Sequence, residues 1–393
     1  MTMVRKLPME RVHAIMDREE IDILLASYPP NVYYASEIPC NFTASNRLLY
    51  TVKRTSPVYC VIPRNEDPKL VLNNAAFELA RKHTWIRDLR TYATGTYIVR
   101  PQKDAVKDSG KDASEVLMAT MKEIKHKRLA IEKQWIGLPL FESMKKSLRD
   151  AVFTDADKLF AELRMLKTNE EINRFKEGTK ICCRAIRSTI DSVEKGITEL
   201  ELVNKLKTTI MREGGDSWQQ TTIAVGPQNG PDIYNQPSNK AVSDGDVIRL
   251  DVGCVYRGYT ADLARTAVFG RIPKEAEKIY ATIKEALESG INALAPGVKV
   301  REIHKIIRDF VRKEYDSKYT RGNVGHGVGV ELYDLPEITI DSLLELQPGM
   351  TLSVEVPYHK FGLGGFNVEE SVLVAQDRCQ VVSDLSRELF SID

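Results

Sequence analysis

The sequence predicts two domains, an α/β domain at the N-terminus followed by an α+β domain. The chain has 393 residues, which is long enough for two domains of ordinary size. Strand and helix patterns alternate through the first part of the chain, as in an α/β domain. Further on, strand-rich blocks are grouped apart from the helices, which is typical of an α+β domain. We therefore place the domains at residues 1–160 and 161–393.

The first domain begins with an amphipathic helix, in which Val12, Ile15 and Met16 recur at helical spacing. The next segment, residues 21–36, predicts a buried strand, a Pro-Pro turn and an aromatic stretch. Residues 56–74 hold two apolar runs around an Asn-Glu-Asp-Pro turn, which predicts a pair of strands. The remaining predicted elements are helices within 75–83, 114–127 and 140–150 and a strand within 128–133.

The second domain begins with a long helix. Thr168 and Glu171 stand three residues apart, which is the spacing of a capping box, and the helical pattern runs to a glycine stop at Gly196. The elements predicted after it are helices at about 198–213, 273–289 and 300–314 and strand-rich blocks at 219–225, 246–269 and 350–376.

Composition excludes several classes of function. Lys plus Arg number 56 against 55 Asp plus Glu, so the chain has no basic excess for nucleic acid or anionic lipid. No stretch approaches the roughly 18 apolar residues of a membrane span, and the N-terminus turns charged before a signal-peptide core can form. The six cysteines are scattered without a CxxC pair, as in proteins with reduced thiols. We expect a cytoplasmic protein with no nucleic-acid or membrane partner.

Two aspartates mark the start of the chemically informative region. Asp251 follows a Val-Ile-Arg-Leu run that suits a strand, and Asp262 comes eleven residues later, beyond a turn at Arg257 and Gly258. A hairpin here would bring the two carboxylates side by side. Alternatively, Asp251 is a turn or cap residue and Asp262 is exposed to solvent.

Three more residues favour a site over that alternative. His326 lies between glycines, which allow close approach of the backbone, although a lone histidine is more often a structural residue. Glu355 and Glu369 lie inside apolar strand patterns, where an unpaired carboxylate costs several kcal/mol to bury. No Lys or Arg alternates with these two acids in sequence, so their charge must be compensated from elsewhere.

Divalent metal ions are the compensation that this set of side chains suggests. Four carboxylates and an imidazole suit Mn, Fe, Co or Zn. Four negative charges balance two divalent ions, and a bridging hydroxide would then serve as the nucleophile. Two ions about 3.5–4 Å apart lower the pKa of a shared water and polarise a carbonyl. The set predicts a hydrolase.

The same residues resemble the pita-bread metallopeptidase family, which includes prolidases, aminopeptidases P and creatinase. The resemblance rests on Asp251 and Asp262 in that spacing, His326 in GHGVG, Glu355 in VEVP and Glu369 in VEES. It extends to the start of the chain, which is similar to the creatinase/prolidase N-terminal domain. The resemblance implies a creatinase-like α/β domain followed by an α+β pita-bread catalytic domain, and it covers nearly the whole chain.

The resemblance also implies roles for single residues. Asp251 would bind the first metal ion, Asp262 and Glu369 would bridge both ions, and His326 and Glu355 would bind the second. Glu355 would also accept a proton from the attacking water. The implied protein is an Xaa-Pro dipeptidase or aminopeptidase that cleaves the bond before proline in a small peptide with a metal-bridging hydroxide. We expect two divalent ions per chain, manganese before cobalt, zinc or iron, and a homodimer.

Two positions depart from the family pattern. Tyr234 and Tyr333 stand where relatives that cleave Xaa-Pro bonds carry histidines, which hold the substrate and help to move protons. Tyrosine can donate a hydrogen bond to an oxyanion, but a pKa of about 10 makes it a poor proton shuttle at neutral pH. His359 could supply the missing imidazole, or it could be an exposed loop residue. Glu370, next to Glu369, is not expected to be a ligand.

Three functions therefore remain open at the level of sequence. The first is the Xaa-Pro peptidase, which the five ligand positions support. The second is a metal-dependent hydrolase or lyase of a small non-peptide C–N substrate, of the creatinase or ectoine-hydrolase kind, which the two tyrosines favour. The third is a non-catalytic binding protein, against which the complete ligand set argues.

Overall fold

A computed structural model describes residues 7–39, 57–92 and 112–393 of the chain. Two compact units divide the chain, Met1–Leu163 and Arg164–Asp393, with the division inside a helix at Asp157–Met165. Cys40 lies outside the described residues, and the five described cysteines are free thiols. No helix in the described parts of the chain is long and apolar enough to cross a membrane.

The first unit contains a six-stranded mixed sheet. Its elements are α1 (Met9–Arg18), β1 (Ile23–Ala26), α2 (Pro29–Ser36), β2 (Tyr59–Pro63), β3 (Lys69–Asn73), α3 (Phe77–His83), β4 (Asp88–Tyr92), α4 (Ala113–Lys122), β5 (Arg128–Ile131), α5 (Leu138–Ser147) and β6 (Val152–Asp155). The strand order is β4-β3-β2-β1-β5-β6, and β1 pairs in parallel with β5 and antiparallel with β2. All four residues of β1 are buried, as expected of a central strand covered on both faces. The predicted alternation of strands and helices is confirmed.

The prediction of a Pro-Pro turn after β1 is wrong, because the two prolines begin helix α2 instead. Proline suits the first turn of a helix, where its fixed φ is helical and no backbone N–H is needed. The buried Glu132 carboxylate accepts hydrogen bonds from the Ser27 hydroxyl (2.8 Å) and the Tyr28 backbone N–H (2.6 Å) at this helix start. The aromatic stretch is therefore helical, and Tyr34 is buried within it.

The second unit contains two main sheets with helices. Its elements are α6 (Asp157–Met165, shared with the first unit), α7 (Asn169–Ile190), α8 (Glu199–Arg212), β7 (Ser217–Val225), α9 (Gly226–Asn229), β8 (Val247–Tyr256), β9 (Tyr259–Phe269), α10 (Lys274–Asn292), α11 (Val300–Glu314), β10 (Asn323–Gly327), β11 (Asp334–Thr339), β12 (Thr351–Glu355), β13 (Tyr358–Lys360), β14 (Gly364–Phe366), β15 (Glu369–Val374), β16 (Cys379–Val381) and β17 (Phe390–Ile392). One sheet has the order β17-β9-β8-β7, the other has the order β11-β10-β12-β15-β16, and β13 pairs with β14.

Helix α7 has the predicted capping box, with the Thr168 and Glu171 side chains each bonded to the other's backbone N–H. The helix ends at Ile190, six residues before the predicted glycine stop. The backbone N–H of Ser192 already bonds to the Thr189 carbonyl in a tighter turn. Gly196 has another role: it adopts a φ of +91°, and its N–H donates to the Val242 carbonyl.

The helices pack against the sheets in two groups. Buried side chains of α7 and α8 join those of β7, β8 and β9 in one apolar core. A second core combines α10 and α11 with β10, β12 and β15. The two sheets meet at β9 and β15, where the Ser371 hydroxyl donates to the Asp262 carbonyl (2.9 Å) and the Thr266 hydroxyl to the Asn367 carbonyl (2.9 Å). This junction brings the acidic residues of both sheets together.

Candidate metal centre

The hairpin of β8 and β9 carries the two aspartates. Arg257 and Gly258 form its turn, with φ values of +46° and +72°. Asp251 pairs with Ala264, and Asp262 pairs with Gly253. The two aspartates are thus offset diagonally by two residues across the ladder, so both side chains lie on the same face of the sheet.

The five-stranded sheet carries the histidine and the two glutamates. His326 on β10 pairs with Ser353 on β12, and Glu355 at the end of β12 pairs directly with Glu369 at the start of β15. Because Ser353 and Glu355 are two residues apart on one strand, all three functional side chains lie on a common face. His326, Glu355 and Glu369 are buried.

Three of the five predicted ligands form a compact cluster. The ligand atoms of Asp262, His326 and Glu369 all lie within 4.8 Å of one another, and Asp262 Oδ2 is 3.7 Å from His326 Nε2. His326 Nδ1 lies 3.1 Å from the Gly327 carbonyl, so Nε2 is the ring nitrogen directed at the aspartate. The Ser353 hydroxyl donates to Glu369 Oε1, whereas the buried Glu369 Oε2 has no hydrogen-bond partner within the described part of the chain. Two carboxylates and an imidazole with an open nitrogen fit a divalent transition metal.

The carboxyl groups around this cluster strongly perturb one another. Burial and the neighbouring Glu355 raise the pKa of Asp251 to about 7. Burial, followed by the other carboxylates, raises the pKa values of Asp262 and Glu369 well above the ordinary range. Burial also lowers the pKa of His326, so its ring is neutral and able to bind a metal. Buried carboxylates this close together repel one another when they are ionised. They are therefore stable only when they are protonated or when a cation is bound between them.

Arg321 is a counterion that sequence reasoning missed. Its Nη2 donates to Glu355 Oε1 at 2.8 Å, and Asn367 Nδ2 donates to Glu355 Oε2 at 3.1 Å. A basic side chain from outside the strand therefore supplies part of the charge compensation that Glu355 needs. Arg321 precedes β10 and lies 34 positions earlier in the chain, so the strand pattern around Glu355 gave no signal of it.

Arg249 is a second basic residue at the site. It precedes Asp251 by two positions on β8, and this period-two spacing within a strand was the signal available in the sequence. Its side chain is buried and donates from Nη2 to the Asp232 carbonyl at 2.7 Å. Asp251, Glu355 and Arg321 all interact with it electrostatically.

Glu370 lies outside the cluster. Its carboxylate accepts from Arg265 Nη2 at 2.7 Å and from Arg387 Nε at 2.9 Å. Arg265 is fully buried and also donates to the backbone carbonyls of Ser386 and Leu385, both at 2.7 Å. Glu370 is thus engaged with the C-terminal segment, on the opposite side of β15 from its neighbour in sequence.

The three further candidate residues differ in position. The Tyr333 ring lies 4.1 Å from the His326 ring, and burial together with Glu355 raises the Tyr333 pKa to about 12. Tyr234 lies in the loop after α9 with 84% of its surface exposed. His359 lies on β13, and its buried Nδ1 has no hydrogen-bond partner in the described ranges. Burial, Arg249 and Arg321 lower the pKa of His359 to about 3. The structure thus places Tyr333 beside the cluster and His359 near the two arginines.

A buried ion network holds the segment that carries Tyr333. Asp334 lies 2.8 Å from Arg164 Nη2 and 3.3 Å from Lys167 Nζ, and these charged groups are almost fully buried. Arg164 also pairs with Glu331. Breaking one of these ion pairs would leave a buried charge unpaired, which is strongly unfavourable. The network therefore holds the segment, and with it Tyr333, in place.

Comparisons with known proteins agree with this geometry. Residues 173–376 match the model of Metallopeptidase family M24, and residues 8–166 match the Creatinase/Prolidase N-terminal domain. An uncharacterized peptidase of Bacillus subtilis is 26% identical over 263 residues, which is 67% of this chain and 74% of that protein. The Xaa-Pro dipeptidase of Pyrococcus furiosus is 24% identical, over 97% of this chain and 99% of that one.

Solved structures show the same fold. The Xaa-Pro dipeptidase from Bacillus anthracis superposes with a TM-score of 0.83 at 24% identity, covering 98% of this chain and 99% of that one. The prolidase from Thermococcus sibiricus gives a TM-score of 0.82 at 21% identity and covers all of both chains. The predicted creatinase-like domain followed by a pita-bread catalytic domain is confirmed. With its family model matching more than half of the chain, this protein belongs to metallopeptidase family M24.

Proposed function

We propose that the protein is a metal-dependent Xaa-Pro peptidase that hydrolyses the bond before proline in small peptides. The observation that carries the proposal is the buried cluster of Asp262, His326 and Glu369, in which Glu369 Oε2 has no hydrogen-bond partner among the residues that the structure describes. The names of relatives that cover nearly the whole chain point to the same substrate class.

The ligand set suits two divalent ions, with manganese the ion that we propose. Asp251 would hold the first ion, His326 and Glu355 would hold the second, and Asp262 and Glu369 would be shared between them. Bound ions of this kind lower the pKa of a water and polarise the scissile carbonyl.

The protein's own side chains then act around the substrate. Glu355 is our candidate to accept a proton from water, since Arg321 and Asn367 orient its carboxylate. Tyr333 is our candidate to donate a hydrogen bond to the developing oxyanion, because a pKa of about 12 keeps its hydroxyl protonated at neutral pH. Tyr234 stays a prediction as a residue that contacts the substrate.

A hydrolase of a small non-peptide C–N substrate is the second candidate. This candidate is favoured by the pKa values of the two side chains near the cluster that could relay protons, Tyr333 and His359. The pKa of Tyr333 is about 12 and that of His359 about 3, so neither changes protonation near pH 7. We further propose a homodimer acting in the cytoplasm, which light scattering and cell fractionation would test.

A substrate panel with added Mn²⁺, read by mass spectrometry, tests the proposal. The panel contains Xaa-Pro dipeptides, an Xaa-Pro-Xaa tripeptide, a non-proline dipeptide and creatine. Cleavage confined to the Xaa-Pro substrates, and absent from the Asp262→Asn variant, is the expected result. Turnover of creatine without turnover of peptides would replace the first candidate by the second.

A further inference from the structure

Helix α8 begins with a carboxylate that is bound by the loop between β7 and β8. Glu199 is the first residue of the helix and is fully buried. Its carboxylate accepts from the backbone N–H groups of Val225 (2.8 Å) and Ser238 (3.0 Å) and from the Ser238 hydroxyl (2.8 Å). The side-chain amides of Asn229 (3.0 Å) and Asn235 (3.3 Å) donate to it as well. These donors, with the positive end of the helix dipole, stabilise a buried carboxylate.

The donors are spread along residues 225–238, which we call the 225–238 loop. Val225 ends β7, Asn229 ends the short helix α9, and Ser238 lies at the far end of the loop. The Asn229 amide is 3.0 Å from both carboxylate oxygens and also donates to the Ser238 hydroxyl at 3.3 Å. A loop that is tied at several points to one buried group loses most of its conformational freedom. One side chain therefore selects the conformation of the whole loop.

The loop fixed in this way contacts strands that surround the candidate metal centre. Gly230 packs directly on β14, since a Cβ atom at this position would lie 2.6 Å from the Gly365 nitrogen. The Asp232 carbonyl accepts from Arg249 Nη2 at 2.7 Å, and Arg249 stands two positions before Asp251 on β8. The conformation of the loop is therefore coupled to the strands that carry and support the candidate ligands.

Tyr234 lies at the tip of the loop, next to one of the anchored residues. Asp232 Oδ1 accepts from the Tyr234 backbone N–H at 2.9 Å, and the Asp232 carbonyl accepts from the Asn235 N–H at 3.3 Å, which makes a tight turn. The Asn235 amide is buried and donates to Glu199 and to the Ile223 carbonyl. Because Asn235 is held on the inside of this turn, the neighbouring Tyr234 side chain is directed outward and is exposed.

We propose that Glu199 is a positioning residue, which holds the 225–238 loop in the conformation that binds substrate at the metal centre. The inference rests on the proposed peptidase function for the identity of the substrate, whereas the hydrogen bonds that fix the loop do not depend on it. When only a fraction of the protein has the binding-competent conformation, the apparent affinity falls by that fraction. In the bound complex the loop is already ordered. Loosening it should therefore raise KM and leave kcat nearly unchanged.

The first variant is Glu199→Gln. An amide has an oxygen on one side and an NH₂ group on the other, so the donors that face the NH₂ group lose their acceptor whichever way the side chain turns. Glu201→Gln is the matched control, because it makes the same charge change on the same helix and its carboxylate accepts from the Thr198 N–H (2.9 Å). We expect Glu199→Gln to raise KM for Xaa-Pro dipeptides about tenfold and to change kcat by less than about twofold. The control should change neither, and elemental analysis should find the same metal content in both variants.

Hydrogen exchange read by mass spectrometry tests the anchoring without any turnover. Exchange in peptides that cover the 225–238 loop should be at least about tenfold faster in Glu199→Gln than in the unmodified protein, and unchanged in Glu201→Gln. Asn229→Ala removes the amide that reaches both oxygens, from the half-buried loop side of the contact. This variant tests the inference even where Glu199→Gln does not fold, and it should accelerate exchange in the loop and raise KM about threefold or more.

The outcomes separate this inference from the proposed function. Exchange that is unchanged in both loop variants, or a fall in kcat as large as the rise in KM, would overturn the positioning role. Faster exchange with an unchanged KM would overturn it as well. An unmodified protein that hydrolyses nothing in the panel removes the proposed activity, while the exchange rates still decide whether Glu199 fixes the loop.

Discussion

Replacing Asp251 by asparagine is expected to stabilise the metal-free protein at neutral and alkaline pH. Burial and the charge of Glu355 raise the pKa of Asp251 from 3.8 to about 7. One pKa unit corresponds to about 1.4 kcal/mol, so ionising this group in the folded protein costs at most about 4 kcal/mol. Asparagine has nearly the same shape and cannot ionise, so the variant avoids this cost.

The sign of the effect depends on pH. In the unfolded chain Asp251 ionises near its ordinary pKa, whereas in the folded protein it keeps its proton up to about pH 7. The unmodified protein therefore loses stability as pH rises from about 4 to 7, and the penalty is complete above pH 7. The variant and the unmodified protein should be similar in stability near pH 4 and should differ most at pH 8.

Urea unfolding of protein dialysed against EDTA, at pH 4.5, 6 and 8, measures this difference. Asp377→Asn, at an exposed position, is the control and should leave the free energy of unfolding unchanged at every pH. Added Mn²⁺ should reverse the order, because the bound cation stabilises the ionised carboxylate and the variant has lost that ligand. The quantity to compare is the free energy of unfolding of the metal-free unmodified protein minus that of Asp251→Asn. A larger difference at pH 8 than at pH 4.5 would refute the reasoning.

Three further predictions concern the cluster and the tyrosines. Asp262→Asn is expected to abolish activity and metal binding together, since this carboxylate would serve both ions; elemental analysis that still finds two ions per chain would contradict the assignment. Because the pKa values of Asp262 and Glu369 are raised, metal binding must displace protons. The Kd for Mn²⁺ should therefore fall by at least about tenfold between pH 6 and 8, and calorimetry that finds a constant Kd would argue against protonated ligands. Tyr333→Phe is expected to lower kcat by about tenfold or more, whereas Tyr234→Phe should change kcat by less than about twofold because its side chain is 84% exposed; steady-state kinetics showing equal losses would contradict this distinction.

Local patterns made much of the fold predictable. The capping box of Thr168 and Glu171 identified the start of α7, because both of its partners lie within one helical turn. The β8–β9 hairpin followed from two apolar runs around Arg257 and Gly258, a turn in which both residues take positive φ. Where prediction failed, a contact distant in sequence decided the outcome. The helix at Pro29–Ser36 begins against Glu132, about 100 positions away, and no local pattern announced that contact.

The sequence by itself determined which side chains could bind a metal ion. A buried carboxylate needs a counter-charge, so Glu355 and Glu369 in apolar strands pointed to a cation wherever the strands might lie. Their order with His326 and the two aspartates then identified the family.

Only the tertiary structure decided which charges surround those ligands. Arg321 reaches Glu355 across 34 positions, and Arg249 and His359 come to the same region from separate strands. The physical reason is that strand pairing brings together residues that are far apart in the chain. Their separation in sequence does not indicate which of them will be in contact. The candidate metal ligands could therefore be named from the sequence, whereas the basic groups beside them emerged only when the two sheets were brought together.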